Sequence, residues 1–460
     1  MLRGVIAPIL ILIVASAGFV AWQNSHARAL SPYDEYVYVD YLAKVPTEGV
    51  VRNGEETGDV ARQALACLGV QEYTIVVQSC RGTDFDKDSL YPYAGHTGAD
   101  IYTPVYFAVT WALAQPFVWT GMDLVHAGRL VGAFWLALGT VGVWLLIRLL
   151  RVDPLYGLVA GLVVIATPAA YWSTTYISTD APSLAVGAWL GCLGVWAWRR
   201  RRPAILLFPV AAIVAVLLKV QNLAAVGAVG LALLVGVIVE RSTADRPLRN
   251  NRLARILTDG RSLSAIAAVI LALCAQVGWL ALRAALTLPS TSPGVDTVRQ
   301  ELSPRALVTE AFRFLTTVGG PVSFSGAFGL AVSSALVVLT IGSLVGLIVG
   351  YRFWGGRNLV LASSLLAVTL LLGPGLAFFT RVTVGYYTPL SERYGLSLLA
   401  LFIALIAVYL SAALGRRSPD GWRDGDLRLP ARPRRHGEEH AGGGDQHRAQ
   451  DQPQQVPAGR

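Results

Sequence analysis

The sequence predicts an all-α integral membrane protein, a polytopic bundle of about ten transmembrane helices with interfacial helices in its first outer loop. The composition points there first: of 460 residues, 54% are hydrophobic and 15% charged, and the mean hydropathy is +0.52. Several apolar runs approach or exceed the roughly 20 residues a helix needs to cross hydrocarbon. Only helices or closed barrels satisfy the backbone in lipid, and the ten-residue alternation of barrel strands is absent. The arginines also fall into clusters that the positive-inside rule can place on one side. The net charge of +9 comes mostly from those short loops and the tail, so it does not argue for nucleic acid.

In chain order, residues 4–22 form the first span, and Arg3 before it places the N-terminus inside. Ala27-Arg28-Ala29 fits a signal-peptidase site, so a cleaved signal peptide is the alternative to a retained anchor. The anchor is preferred, because the chain keeps returning to the membrane. Either way, residues 23–103 lie outside.

That loop opens on Ser31-Pro32, which reads as a helix start with Ser31 as N-cap and Pro32 at the first helical position. Asp34 and Tyr38 then share a helical face. Asp34-Glu35 is an acidic pair suited to proton chemistry. It is equally an ordinary helix start, since Ser31-x-x-Asp34 fits a capping box and the helix dipole favours acids in a first turn. Cys67 and Cys80 share the loop, either as a disulfide or as two thiols, while Cys192 and Cys274 fall in apolar spans. The spacing fits no zinc pattern.

The apolar stretch 104–121 is predicted to be interfacial or re-entrant, with both ends outside. As a crossing it would place Arg148 and Arg151 outside, followed by Arg199 through Arg202, against the charge rule. Further spans follow at about 127–147, 154–172, 181–198, 204–219, 222–240, 263–285, 326–350, 358–380 and 394–413. Every basic cluster then lands inside: Arg148/Arg151, Arg199–Arg202, Arg241 through Arg261, Arg352/Arg357 and Arg416/Arg417. Residues 286–325 form a second outer loop, where Ser303-Pro304 starts a surface helix. Residues 1–413 make the membrane domain. Residues 414–460, rich in Arg, Pro, Gly, Gln and His, are predicted to be a disordered cytoplasmic tail. There is no evident internal repeat.

This topology gathers a polar set at the outer face: Asp34, Glu35 and Asp40; His96, Asp100 and Tyr102; Arg129; Tyr176, Thr179 and Asp180; Lys219, Gln221 and Asn222; and Arg381, Tyr386, Tyr387, Glu392 and Arg393. Span-end charges often only snorkel to the headgroups. Asp180 would serve equally as an N-cap before Pro182, and Arg129 and Arg393 as span anchors. Lys219 is less easily dismissed, because the chain uses lysine only at 44, 87 and 219. A compact cation in a short membrane turn points to a phosphate.

On these residues the chain resembles the GT-C superfamily of polytopic glycosyltransferases, which includes protein O-mannosyltransferases and the arabinosyltransferases of lipid A. The likeness runs through Asp34-Glu35, the Tyr102-Thr103-Pro104-Val105-Tyr106-Phe107 segment, Arg129-Leu130, Thr179-Asp180-Ala181-Pro182, Lys219 and Arg393-Tyr394. It departs at Tyr38, where the family often has a histidine. It covers most of residues 1–413 and none of the tail. The resemblance implies a GT-C-like fold and inverting transfer of a sugar from a polyprenyl-phosphate donor, among membrane lipids, to a protein, glycan or lipid acceptor. It implies Asp34 as general base, with Glu35 and Asp180 as further catalytic groups that orient the acceptor or tune Asp34. Tyr38, Tyr102, Arg129, Lys219 and Arg393 would bind substrate, the cations stabilising the departing phosphate. No cofactor is required, although a divalent ion between Asp34 and Asp180 is compatible with the scheme. Two other classes are an envelope polysaccharide polymerase or ligase, disfavoured by short late loops, and a transporter-like non-enzyme, disfavoured by the scarcity of charge in span centres.

Overall fold

The computed structural model describes residues 3–27, 29–73, 79–81, 85, 87–243, 252–289, 300–323, 325–351 and 356–415. Arg28 of the candidate cleavage site, Arg352 and all but the first two residues of the predicted tail lie outside the described residues. What is described is all-helical apart from isolated bridges and short 3₁₀ turns.

Seven described helices are long and apolar enough to cross a membrane, and eight if one bent pair counts as a single crossing. Burial ranks them. The window ending at Ala413 is 72% buried, whereas the first helix is 17% and Gly260–Leu286 22% buried. The Leu396–Ala413 helix is therefore the core, against Ser183–Trp198 and Ala327–Val349. The peripheral helices turn Leu10, Val14, Ile270 and Val277 outward, as a lipid-facing surface would. A Cβ on Gly187 would collide with the Ser397 carbonyl, so the core helices touch backbone to backbone there.

Three sequence expectations change. The span predicted at 154–172 is two helices, Pro154–Ile165 and Pro168–Thr174, bent by 62°. Thr167 caps the second through Ala170 N, and Pro168 can donate no hydrogen bond back into the first. Ser183–Trp198 and Arg202–Leu218 are helices of 16 and 17 residues, short of the length that would count them as spans on their own. Finally, the first loop helix begins at Glu35, not Pro32. Ser31 Oγ accepts from Tyr33 N at 3.1 Å, a local turn, and Asp34 then adopts a left-handed conformation at φ 66° before the helix starts.

The helix ends sort by charge. At one end, Arg199 donates to the Leu149 carbonyl at 2.5 Å, Arg261 pairs with Glu240 and Asp259, and Arg241 with Asp259. Opposite, the described residues of 30–103 build a compact cap. Asp40 fastens it, accepting from Gly58 N at 2.8 Å and Thr97 Oγ1 at 2.6 Å, with Lys44 at 3.3 Å. Arg62 donates to Phe85 O, Gly95 O and Asp88, and Cys67 is joined to Cys80. Tyr41 stacks on Phe107 of the Pro104–Val118 helix, with ring centroids 4.1 Å apart. Arg283, on the last turn of Gly260–Leu286, holds Asp100 at 2.5 Å. In the second loop, Ser303 caps Pro304–Thr316 through Ala306 N, and buried Glu310 binds Arg313, Tyr387 and Leu390 N.

Candidate active site

Four charged side chains from remote parts of the chain meet beneath this cap. Asp34 comes from the turn before Glu35–Glu48, and Asp180 from the turn between Pro168–Thr174 and Ser183–Trp198. Lys219 comes from the break after Arg202–Leu218, and Arg393 from a 3₁₀ turn opening the core helix. Lys219 Nζ pairs with Asp180 Oδ1, and Arg393 Nη2 with Asp34 Oδ2. Arg393 Nη1 lies 3.5 Å from Asp180 Oδ2 and donates to the Tyr33 carbonyl at 3.2 Å. The result is a chain of alternating charge, Asp34–Arg393–Asp180–Lys219, with two anions against two cations.

Local structure explains each placement. The Asp34 side chain makes no capping bond although it occupies the cap position. The expected capping box therefore does not form, and the carboxylate is left for the cluster. Asp180 is not a side-chain cap either; its carboxylate takes Lys219 and Ser178 Oγ, while its backbone carbonyl accepts from Ser183 N. Lys219 is extended, at φ −164°, between helices, which turns its side chain inward. Thr103 at the head of Pro104–Val118 donates to the Leu217 carbonyl, tying the cap to this break.

Burial is uneven. The Asp180 and Lys219 side chains are 4% and 3% exposed and that of Arg393 10%, but that of Asp34 is 35% exposed. Asp34 is thus the member that a molecule arriving from outside would meet. Among the described residues its Oδ1 meets no donor, and the buried Arg393 Nε meets no acceptor. Burial pulls the Lys219 pKa down, and the neighbouring Asp180 carboxylate partly restores it. Tyr38 donates to Tyr102 at 3.1 Å and accepts from Thr179 at 3.3 Å, so the residue in the histidine position is a tether between cap and bundle. Burial pushes both phenols up, keeping them neutral.

Glu35 and Arg129 do not join the cluster. Both are fully buried and bind each other through two 2.8 Å bonds. Arg129 also donates to the Ala27 and Ala29 carbonyls at 2.9 Å and lies 5.0 Å from the Tyr176 ring centroid. Glu35 accepts from Ser31 N and Ile177 N at 2.8 and 3.0 Å. With these atoms engaged, the pair is a rivet that clamps the Asp34 turn to the Asp180 turn.

The sequence reading gave no role to Tyr33, Ser178 or Tyr394. Tyr394 presents its ring to Lys219 at 5.5 Å, and Tyr33 presents both its carbonyl and its ring to Arg393. The Arg393-Tyr394 pair was the available signal for the first; nothing in the sequence marked the others. As for a metal, no group of three or more His, Cys, Asp or Glu suited to an ion occurs among the described residues. The donor set between Asp34 and Asp180 also fits a divalent ion poorly, because Arg393 already stands between the two carboxylates.

Comparison with protein-family models and with curated proteins finds no match for this chain. Fold and site define a polytopic, largely α-helical membrane protein with a charged cluster under a cap at one end.

Proposed function

We propose that this protein is a GT-C-like glycosyltransferase that moves a sugar from a polyprenyl-phosphate donor to a cell-envelope acceptor at the outer face of the cell membrane. The observation carrying this reading is the meeting of Asp34 with Lys219 and Arg393, three groups the reaction needs and the chain keeps far apart. Ten crossings, with Ser183–Trp198 and Arg202–Leu218 among them, put the arginine-rich end and both termini in the cytoplasm.

In the reaction, Asp34 takes the proton of the acceptor hydroxyl as its oxygen forms a bond to the anomeric carbon. The bond from that carbon to the phosphate oxygen breaks, and its electron pair leaves with the lipid phosphate. Arg393 and Lys219 hold the charge that grows there. Attack opposite the leaving phosphate inverts the anomeric centre. Asp180 orients both cations, and no step requires a cofactor.

Transfer of labelled sugar from a membrane polyprenyl-phosphate pool tests this, comparing wild type with Asp34→Asn. The substitution keeps the shape and removes the base, so transfer should fall about 10²–10⁴-fold at normal membrane abundance. Full transfer by the variant would overturn the assignment of the base.

A further inference from the structure

Resting on that reading, we infer that the donor phosphate and the Asp34 carboxylate compete for Arg393, so that donor binding is what frees the base. Without donor, Asp34 Oδ2 is bound to Arg393 Nη2, so that oxygen is already engaged by the guanidinium and turned away from an acceptor. The cluster is balanced, two carboxylates against two cations, so an entering phosphate carries surplus negative charge unless one carboxylate withdraws.

Asp34 is the one built to withdraw. Asp180 is buried and held by Lys219 and Ser178 as well as facing Arg393. Asp34 is partly exposed, pairs only with Arg393 among the described residues, and has a left-handed backbone just outside a helix, where a small rotation swings the side chain away. Arg393 in turn keeps a buried Nε without an acceptor, a donor ready for a second oxyanion. The order of events follows: donor first, then a released Asp34, then acceptor activation. Before donor arrives the base is sequestered, so neither water nor acceptor is activated to no purpose.

Competition has a signature that catalysis lacks. Removing the carboxylate should tighten phosphate binding while abolishing transfer. The probe is a farnesyl methyl phosphodiester, whose single charge is constant across the working range, titrated calorimetrically into purified full-length protein. If Arg393 is free of Asp34 in about a tenth of unliganded molecules, Asp34→Asn binds about tenfold more tightly than wild type.

Equal affinities of wild type and Asp34→Asn would overturn the competition and leave the donor site standing. Absence of binding by either protein would remove the donor site and this inference together.

Discussion

Replacing Arg129 with methionine tests whether the rivet beside the site holds the fold as the geometry requires. Methionine fills similar length but donates nothing. Glu35 would keep Ser31 N and Ile177 N but lose both guanidinium bonds, and the Ala27 and Ala29 carbonyls would lose their donors. Because Glu35 is fully buried, its charge has no route to water. Breaking a buried pair from one side costs about 3–5 kcal/mol. That is roughly 10²–10⁴-fold in the unfolding equilibrium.

Reversible unfolding in mixed dodecyl-maltoside and SDS micelles, followed by tryptophan fluorescence, would read the change. The Glu35→Gln/Arg129→Met double variant removes the stranded charge, although Ser31 N and Ile177 N reach different carboxylate oxygens and the single carbonyl oxygen of the introduced glutamine replaces only one of them. It should therefore recover part of the loss. A single variant within about 1 kcal/mol of wild type would refute the reasoning, as would a double variant no better than the single.

Further outcomes follow from the geometry and the proposed reaction. Lys219→Gln should lower transfer by about 10²–10³-fold, and Lys219→Arg less. Because burial lowers the Lys219 pKa, the neutral form is favoured inside the protein, so the alkaline limb of activity should lie below the usual 10.5 and move up in Lys219→Arg. The stability sign is opposite: folding is helped, not harmed, as pH climbs from the folded Lys219 value toward 10.5, because the unfolded chain then binds more protons. A Cys67→Ser/Cys80→Ser variant, opening a link of 13 residues, should lose about 3 kcal/mol locally, seen as faster tryptic cleavage within residues 30–103 than in the helices. Gly187→Leu should cost at least about 1–3 kcal/mol in the same unfolding assay, since the Ser397 carbonyl occupies the space its Cβ needs.

The fold class was legible because hydropathy and arginine clustering act over whole segments, and the helices fall where the apolar runs do. The break at Pro168 was readable in principle, but an apolar stretch of span length hid it. The sequence also placed Asp34, Asp180, Lys219 and Arg393 on one side. It could not separate Glu35 from Asp34, since adjacent acids look alike until the backbone turns between them. Asp34 goes left-handed and faces the cluster, while Glu35 starts the helix and faces Arg129. Nor could Arg129 be told from Arg393, both being arginines at the predicted start of a span followed by an aliphatic or aromatic neighbour, although Arg129 lies in the last turn of Leu124–Leu130. Side-chain partners across some hundred residues or more decide such cases, and local pattern does not carry them.

The position of Arg393 also bears on how the protein is made. It opens the last described helix, whereas Asp34, Asp180 and Lys219 all precede it by well over a hundred residues. As the chain leaves the ribosome, the earlier helices bring two carboxylates together with one lysine, an imbalance that a membrane interior resists. Docking of the final helix supplies the missing positive charge and the central packing surface in one event. The charge cluster is therefore complete only once that helix has docked, and a chain truncated before Arg393 lacks it.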